Sequence, residues 1–545
     1  MAPMSKEVSG HVALAQALAD QKVTTVFGVL GEGNIHVLAE LGENHDVRYV
    51  KAAREDGALL MAGGYAAVTG TVGFASVTHG PGLTNTITAL THLSRARIPI
   101  VVFAGDTDTR LPFGRQHIDQ AALVAPTGAG IQQVRSADAI ADEVARAFGR
   151  ARAERRPIVL NAPVDVQRRT TTYTPSQVQV ASPQAVAPDI AALDLAAGAI
   201  AAARRPIIVA GHGAVLADAR KSILTLAGRI GAPVATTLRA KDFFRGESFD
   251  LGICGTLSHS AAVDTITAAD CLIAFGASLN PDTTANGSLL EGKRIVHIDL
   301  EPAQLGRHTD VSVAVQADAD RAASTLVEWF DELDLSRSGG LCTDDLRTRL
   351  ADFDPHNEYR PYETELVDGR ELTLLLDEVF PHERTYVSDS GLFMLPGYAW
   401  LHVSEPTAFV ETVEFGSIGL GLATAIGAAM GRPDRPALLT VGDGGLTMEL
   451  HELLTAARYG LDLVVVVFND GAYGAEIAVA DRIGKGHDLA LLGDVNFAAI
   501  SEGMGVKALR IERSDQLSAI PEVIARRRGP LLIDVRTDSH TPVPH

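Results

Sequence analysis

Cysteine is scarce. Cys254, Cys271 and Cys342 are the three in 545 residues, too few and too scattered for a disulfide framework, and no Cys-x-x-Cys spacing offers a zinc site. Basic residues are outnumbered 67 to 47, and a net charge of −20 argues against a nucleic-acid footprint or docking to an anionic membrane. Long apolar runs are missing too: 463–468 is among the longest and falls far short of the roughly 20 residues that span a bilayer. The opening run from Met1 to Glu7 lacks a basic stretch followed by an apolar one, so no signal peptide is expected and the protein is read as soluble and cytoplasmic. Aromatics are only 5%, whereas glycine (51) and alanine are plentiful, which suits helix-rich α/β packing.

What is present is an alternating rhythm. Apolar runs at 23–29, 73–78, 99–104 and 157–161 lie about one helix apart and predict βα units on a parallel sheet. A polar stretch at 168–188, rich in Thr, Gln, Ser and Pro, reads as a linker. A second unit has runs at 205–210, 233–236, 271–275 and 294–299. A polar, acidic connector at 333–360 precedes a third unit with runs at 437–441, 463–468 and 530–535. The expected fold is α/β, three doubly wound domains with parallel sheets, spanning 1–170, 189–335 and 365–545.

The densest signal lies in the third unit. An apolar strand ends in Gly442-Asp443-Gly444-Gly445, a helical segment follows over 446–459, and a second apolar strand ends in Asn469-Asp470-Gly471-Ala472. This βαβ unit places Asp443 and Asp470 at the carboxyl ends of parallel strands, where ligands bind in open α/β sheets. Two carboxylates and the Ala472 carbonyl form an oxygen set suited to Mg²⁺. Gly444 and Gly445 can offer backbone N–H groups to a diphosphate. Gly-Asp-Gly alone is equally an ordinary turn; the paired Asn-Asp strand end turns the reading toward a metal diphosphate.

This pattern resembles the signature of thiamine diphosphate (ThDP) enzymes, and more closely the group of pyruvate decarboxylase, benzoylformate decarboxylase, pyruvate oxidase and acetolactate synthase. The resemblance covers nearly the whole chain and implies pyrimidine-binding, middle and diphosphate-binding domains in that order. It assigns Asp443, Asp470 and Ala472 to Mg²⁺, with Asp470 where the family more often has Asn. It assigns Ile418 as the apolar prop under a bent cofactor and the Gly416 carbonyl as acceptor for its aminopyrimidine; Gly442 belongs to the same cofactor-binding floor. A Gly-rich helix start packed on a strand would look similar. Glu55, in Lys51-Ala-Ala-Arg-Glu55-Asp-Gly-Ala58, falls at the family's catalytic glutamate, which bonds the pyrimidine N1′ and promotes the tautomer that deprotonates the thiazolium C2. In the family the two half-sites come from different subunits, implying a homodimer or homotetramer.

The substrate-facing positions are mixed. Glu32 stands where pyruvate decarboxylase carries an acidic residue, His79 where benzoylformate decarboxylase has a histidine, and Glu476 where pyruvate decarboxylase has a second glutamate. Together they suit a proton relay, although Glu32 and Glu476 also read as solvated loop carboxylates and His79 as a turn cap. Gln116, in Phe113-Gly-Arg-Gln116-His117, resembles the Phe-Gln-Glu of acetolactate synthase, with Arg115 in place of Phe; Arg115 is either an anion holder or a surface cation. The stretch 275–284 lacks the arginine that acetolactate synthases place near FAD, which argues against flavin. The expected activity is non-oxidative decarboxylation of a 2-oxo acid, carboligation, or both, on a small-molecule 2-oxo acid or acyl substrate. The alternatives are an acetolactate synthase-type transferase, a 2-hydroxyacyl lyase and an inactive ThDP-fold binding subunit.

Overall fold

The computed structural model describes residues 7–111, 113–178, 184–335, 340–359, 362 and 364–539. Three six-stranded, all-parallel sheets follow one another along the chain. The first runs, edge to edge, Arg48–Lys51, Thr25–Gly28, Gly73–Val77, Ile100–Asp106, Ile158–Pro163, Gly130–Gln133. The second runs Asp250–Ile253, Val234–Thr236, Pro206–Ala210, Cys271–Phe275, Arg294–Asp299, Val313–Gln316. The third runs Phe409–Glu411, Thr385–Ser388, Ala437–Gly442, Leu463–Asn469, Leu531–Arg536, Lys507–Ile511.

The strands visible in the sequence are the inner ones. Leu463–Asn469 is buried along its whole length, because helices cover both faces of a parallel sheet and both faces must then be apolar. Outer strands such as Arg48–Lys51 and Val313–Gln316 bury one residue each among exposed and half-buried ones and carry at most a short apolar run. The linker at 168–188 is not wholly irregular: Thr170–Thr172 pairs antiparallel with Glu7–Ser9. The connector at 333–360 contains the helices Asp344–Ala351 and Pro355–Glu358.

The first and third sheets share a core. Helix Glu55–Thr69 lies on helix Gly421–Gly431 so closely that a Cβ at Gly64 would stand 2.1 Å from the Thr424 carbonyl oxygen, and one at Gly427 would stand 1.9 Å from that of Met61. Only glycine allows such backbone approach. The middle domain is tied to both by polar contacts: Arg239 donates to the Ala96 carbonyl (2.9 Å) and lies 3.8 Å from Glu411 and 3.6 Å from Glu414.

Glu411 is buried at this three-way junction, and its carboxyl is pushed up to about 7 by burial and by Glu414, with Arg239 opposing. A glutamate free of these effects titrates at 4.5. Between that value and about 7 the folded state keeps a proton that the unfolded chain has lost, so this group's contribution to stability falls as pH rises through the window. Glu411→Gln stays neutral and should flatten the fall by up to about 1.4 kcal/mol per pH unit. Urea unfolding across that range reads the slope; a variant with the wild-type slope would refute the raised carboxyl. Among the described residues no helix is long and apolar enough to cross a membrane.

Candidate active site

The central strands Ala437–Gly442 and Leu463–Asn469 lie side by side, with Gly442 opposite Phe468. Their carboxyl ends therefore open at the same edge. Gly442 is extended and the chain turns at once into helix Asp443–Glu449. Asp443 joins the two strand ends: one oxygen accepts from its own turn at Gly444 (2.8 Å) and the other from Gly471 across the way (2.9 Å). Asp470 accepts from the Ala472 amide (3.1 Å).

The two carboxylates face each other in a half-dry setting. Burial, then the charge of Asp443, pushes Asp470 up to about 7, and burial also raises Asp443. Arg536 opposes this by pulling Asp443 down, but it spends a hydrogen bond on Asn469 (2.8 Å). Two facing carboxylates without a cation between them are costly, and a divalent ion relieves that cost. The donor set of two carboxylates and the Ala472 carbonyl fits Mg²⁺, which keeps its remaining positions for water or phosphate oxygens.

A cavity of about 290 Å³ opens here and is lined by Gly416 and Ile418, by the run 442–445, and by Asp470, Ala472 and Glu476. Every site residue expected in the third domain thus meets in one hollow. Phe393, stacked on Phe468 (5.3 Å between centroids), and Tyr473 complete the wall. A second hollow of about 520 Å³, beside His356 and helix Gly369–Val379, contains none of the expected residues.

The other candidates gather in the first domain. Glu55 opens its helix half-buried, and its carboxylate accepts from the Asn85 amide (2.9 Å). His79 follows strand Gly73–Val77 and is buried. Its Nδ1, with no hydrogen-bond partner among the described residues, lies 2.5 Å from where a Cβ on Gly33 would stand. Burial lowers its pKa, while Asp106 and Glu32 act to raise it. Gly80 (φ +62°) brings the Gln116 carbonyl against the turn after His79; Gln116 itself is half-buried. Glu32 is largely exposed and pairs with Arg168 at 3.1 Å. None of Glu32, Glu55, His79 and Gln116 lines the third-domain cavity, so within one chain Glu476 stands apart from Glu32 and His79.

Among the buried acids that no sequence pattern singled out are Asp389, Glu449 and Glu452. Asp389 follows strand Thr385–Ser388 and precedes Ser-Gly, much as Asp443 and Asp470 follow their strands, but the hydroxyl-rich strand before it hides the parallel in the sequence. Glu449 and Glu452 lie three apart, a spacing that puts both on one helix face, where a pair of acids reads as solvated.

Family models cover most of the chain. The thiamine pyrophosphate enzyme N-terminal TPP binding domain matches residues 8–123, the central domain 193–326 and the C-terminal TPP binding domain 389–535. A sulfoacetaldehyde acetyltransferase of Castellaniella defragrans is 27% identical over 94% of this chain and 90% of its own. An acetolactate synthase large subunit of Corynebacterium glutamicum is 26% identical over 97% and 87%. A probable 2-ketoarginine decarboxylase of Pseudomonas aeruginosa is 28% identical over 91% and 90%. With three parallel-sheet domains and three matching models in the same order, the chain belongs to the thiamine pyrophosphate enzymes, in the group that holds acetolactate synthases and 2-oxo acid decarboxylases.

Proposed function

We propose that the protein is a ThDP- and Mg²⁺-dependent enzyme that decarboxylates a 2-oxo acid without oxidation and releases the product or transfers it to an acceptor. The observation that carries this reading is the paired Asp443 and Asp470 in one cavity with Gly416 and Ile418. Asp443, Asp470 and the Ala472 carbonyl would hold the metal. Gly444 and Gly445 would bring backbone close to the diphosphate, where a side chain would run into Tyr473 or Asp389, and Ile418 would prop the cofactor while the Gly416 carbonyl would orient it. When bound, ThDP supplies the carbon nucleophile and the electron sink for the carbanion that loss of CO₂ leaves.

The chain's own residues manage protons and water. Glu55 would hold a proton against the cofactor's pyrimidine, fixed in direction by Asn85. His79, Glu32 and Glu476 would deliver a proton to the product carbon, and Gln116 would contact substrate. Because the Glu55 cluster and the diphosphate cavity are separate in one chain, the reading calls for a homodimer or homotetramer in which each site is completed by a partner. Glu55, Asp443 and Asp470 are all present, which speaks against an inactive binding subunit. Transfer to an acceptor, as in an acetolactate synthase-type reaction, is supported by relatives named as a synthase and an acetyltransferase. The missing arginine at 275–284 leaves FAD outside the proposal.

Product analysis tests this. Purified protein with ThDP and Mg²⁺ is given aliphatic, branched, guanidino and aryl 2-oxo acids, and CO₂ and carbon products are followed together. CO₂ with an aldehyde establishes a decarboxylase; CO₂ with a 2-hydroxy ketone or acetohydroxyacid establishes a carboligase. No CO₂ from any acid overturns the proposal and directs attention to 2-hydroxyacyl substrates.

A further inference from the structure

The helical stretch that starts at Asp443 continues through Leu450–Glu452 and Leu453–Tyr459 and carries Glu449 and Glu452 into the interior. Neither has an arginine or lysine ion pair among the described residues; His451 lies 3.8 Å from Glu452. Each instead grips the start of a helix that cannot cap itself. The residues before Glu55–Thr69 and Gly421–Gly431, Arg54 and Leu420, make no side-chain cap, and a helix start leaves backbone N–H groups without partners.

Glu449 Oε2 accepts from the Leu422 amide (2.6 Å) and lies 3.4 Å from that of Ala423. Asp389 takes the amides just before them, Gly419 (2.9 Å) and Leu420 (3.3 Å), together with the Thr412 hydroxyl (3.0 Å). Four amides after Gly416 and Ile418 are thus held by two buried carboxyls. Glu449 Oε1 is buried with no hydrogen-bond partner among the described residues, and burial with the Asp389 and Glu452 charges raises this acid well above its ordinary range. A neutral carboxyl still accepts through its carbonyl oxygen.

Glu452 grips the other half. Its Oε1 accepts from the Ala53 (3.1 Å) and Arg54 (3.1 Å) amides, and its Oε2 from the Thr455 hydroxyl (2.6 Å). Those amides directly precede Glu55. A Cβ at Gly57 would stand 2.3 Å from Glu452 Oε1, so the carboxylate fills the space that the missing side chain leaves.

We propose that Glu449 and Glu452 are positioning residues for the two halves of the cofactor site: Glu449 fixes the turn that carries Ile418, and Glu452 fixes the backbone that aims Glu55. This rests on the ThDP reading above. It predicts a split between binding and proton transfer. Glu449→Ala should weaken ThDP–Mg²⁺ binding to apoprotein by about tenfold, the scale of one or two lost hydrogen bonds, and leave C2 deuterium exchange of saturating ThDP within about threefold of wild type. Glu452→Ala should slow that exchange by about tenfold and leave the ThDP dissociation constant within about threefold.

Calorimetric titration reads the first quantity, quenched-exchange NMR the second, and apoprotein melting monitors folding. Glu449→Gln and Glu452→Gln, which keep an acceptor oxygen, should recover most of each loss. If the alanine variants do not fold, Glu449→Asp and Glu452→Asp, one methylene too short to reach the amides, read the same split. Both variants moving both quantities by one factor that tracks the melting temperature would overturn the positioning roles, as would variants that move neither. Wild-type protein without ThDP affinity overturns the cofactor reading itself.

Discussion

Replacing Glu55 by glutamine should cut turnover by about 10²- to 10⁴-fold, the range general acid–base catalysis contributes, while ThDP affinity stays close to wild type. Glutamine has nearly the same shape and keeps a carbonyl oxygen for the Asn85 amide, so the local geometry survives. What it cannot do is exchange a proton with the cofactor's pyrimidine. Glu55 also opens its helix, with Asp56 beside it, and an acid there is favourable to any helix. A purely structural Glu55 would therefore cost a few tenths of a kcal/mol in stability and leave kcat alone. Turnover at saturating ThDP, measured with the dissociation constant on the same preparation, separates the two; kcat within tenfold of wild type would end the catalytic assignment.

Asp443→Ala should abolish Mg²⁺-dependent ThDP binding, raising the dissociation constant by about 100-fold or more, as expected when a metal ligand and its support are lost together. In the proposed site Asp443 would supply an oxygen to the metal, and in the structure it ties the Gly444 turn to the Gly471 turn. Its removal therefore loosens the site before any ligand arrives. Asp470→Asn makes the contrast. It keeps an oxygen toward the site, removes one of two facing charges, and should make apoprotein more stable while weakening ThDP–Mg²⁺ far less. Chelation with EDTA should likewise erase the thermal stabilisation by ThDP, about 2.7 kcal/mol at a hundredfold excess over the dissociation constant, and added Mg²⁺ should restore it. An Asp443→Ala protein with wild-type, Mg²⁺-dependent affinity would refute the metal site.

Particular strands show how far the sequence could be read. Residues 463–468 and Cys271–Phe275 are unbroken apolar runs because helices bury both their faces. Thr385–Ser388 is just as buried but was not legible, since three of its four residues carry hydroxyls and break the apolar run; Tyr386 meets Thr440 at 3.1 Å, whereas the Thr385 hydroxyl is buried without a hydrogen-bond partner among the described residues. The site divides in the same way. Asp443, Asp470 and Ala472 are close in sequence within one βαβ unit, and adjacent parallel strands must bring them together. Glu449 and Glu452 look in sequence like acids of a solvated helix face.

The sequence by itself determined the three βα domains, the strand-end carboxylate pair and the Gly-rich turns, because each depends on residues within one supersecondary unit. Only the tertiary structure decided which acids are buried and what they hold. Glu452 meets Ala53 and Arg54 across some four hundred positions, and Glu411 meets Arg239 of another domain. A buried carboxyl is defined by the donors and charges packed around it, and those come together only when the domains close on one another.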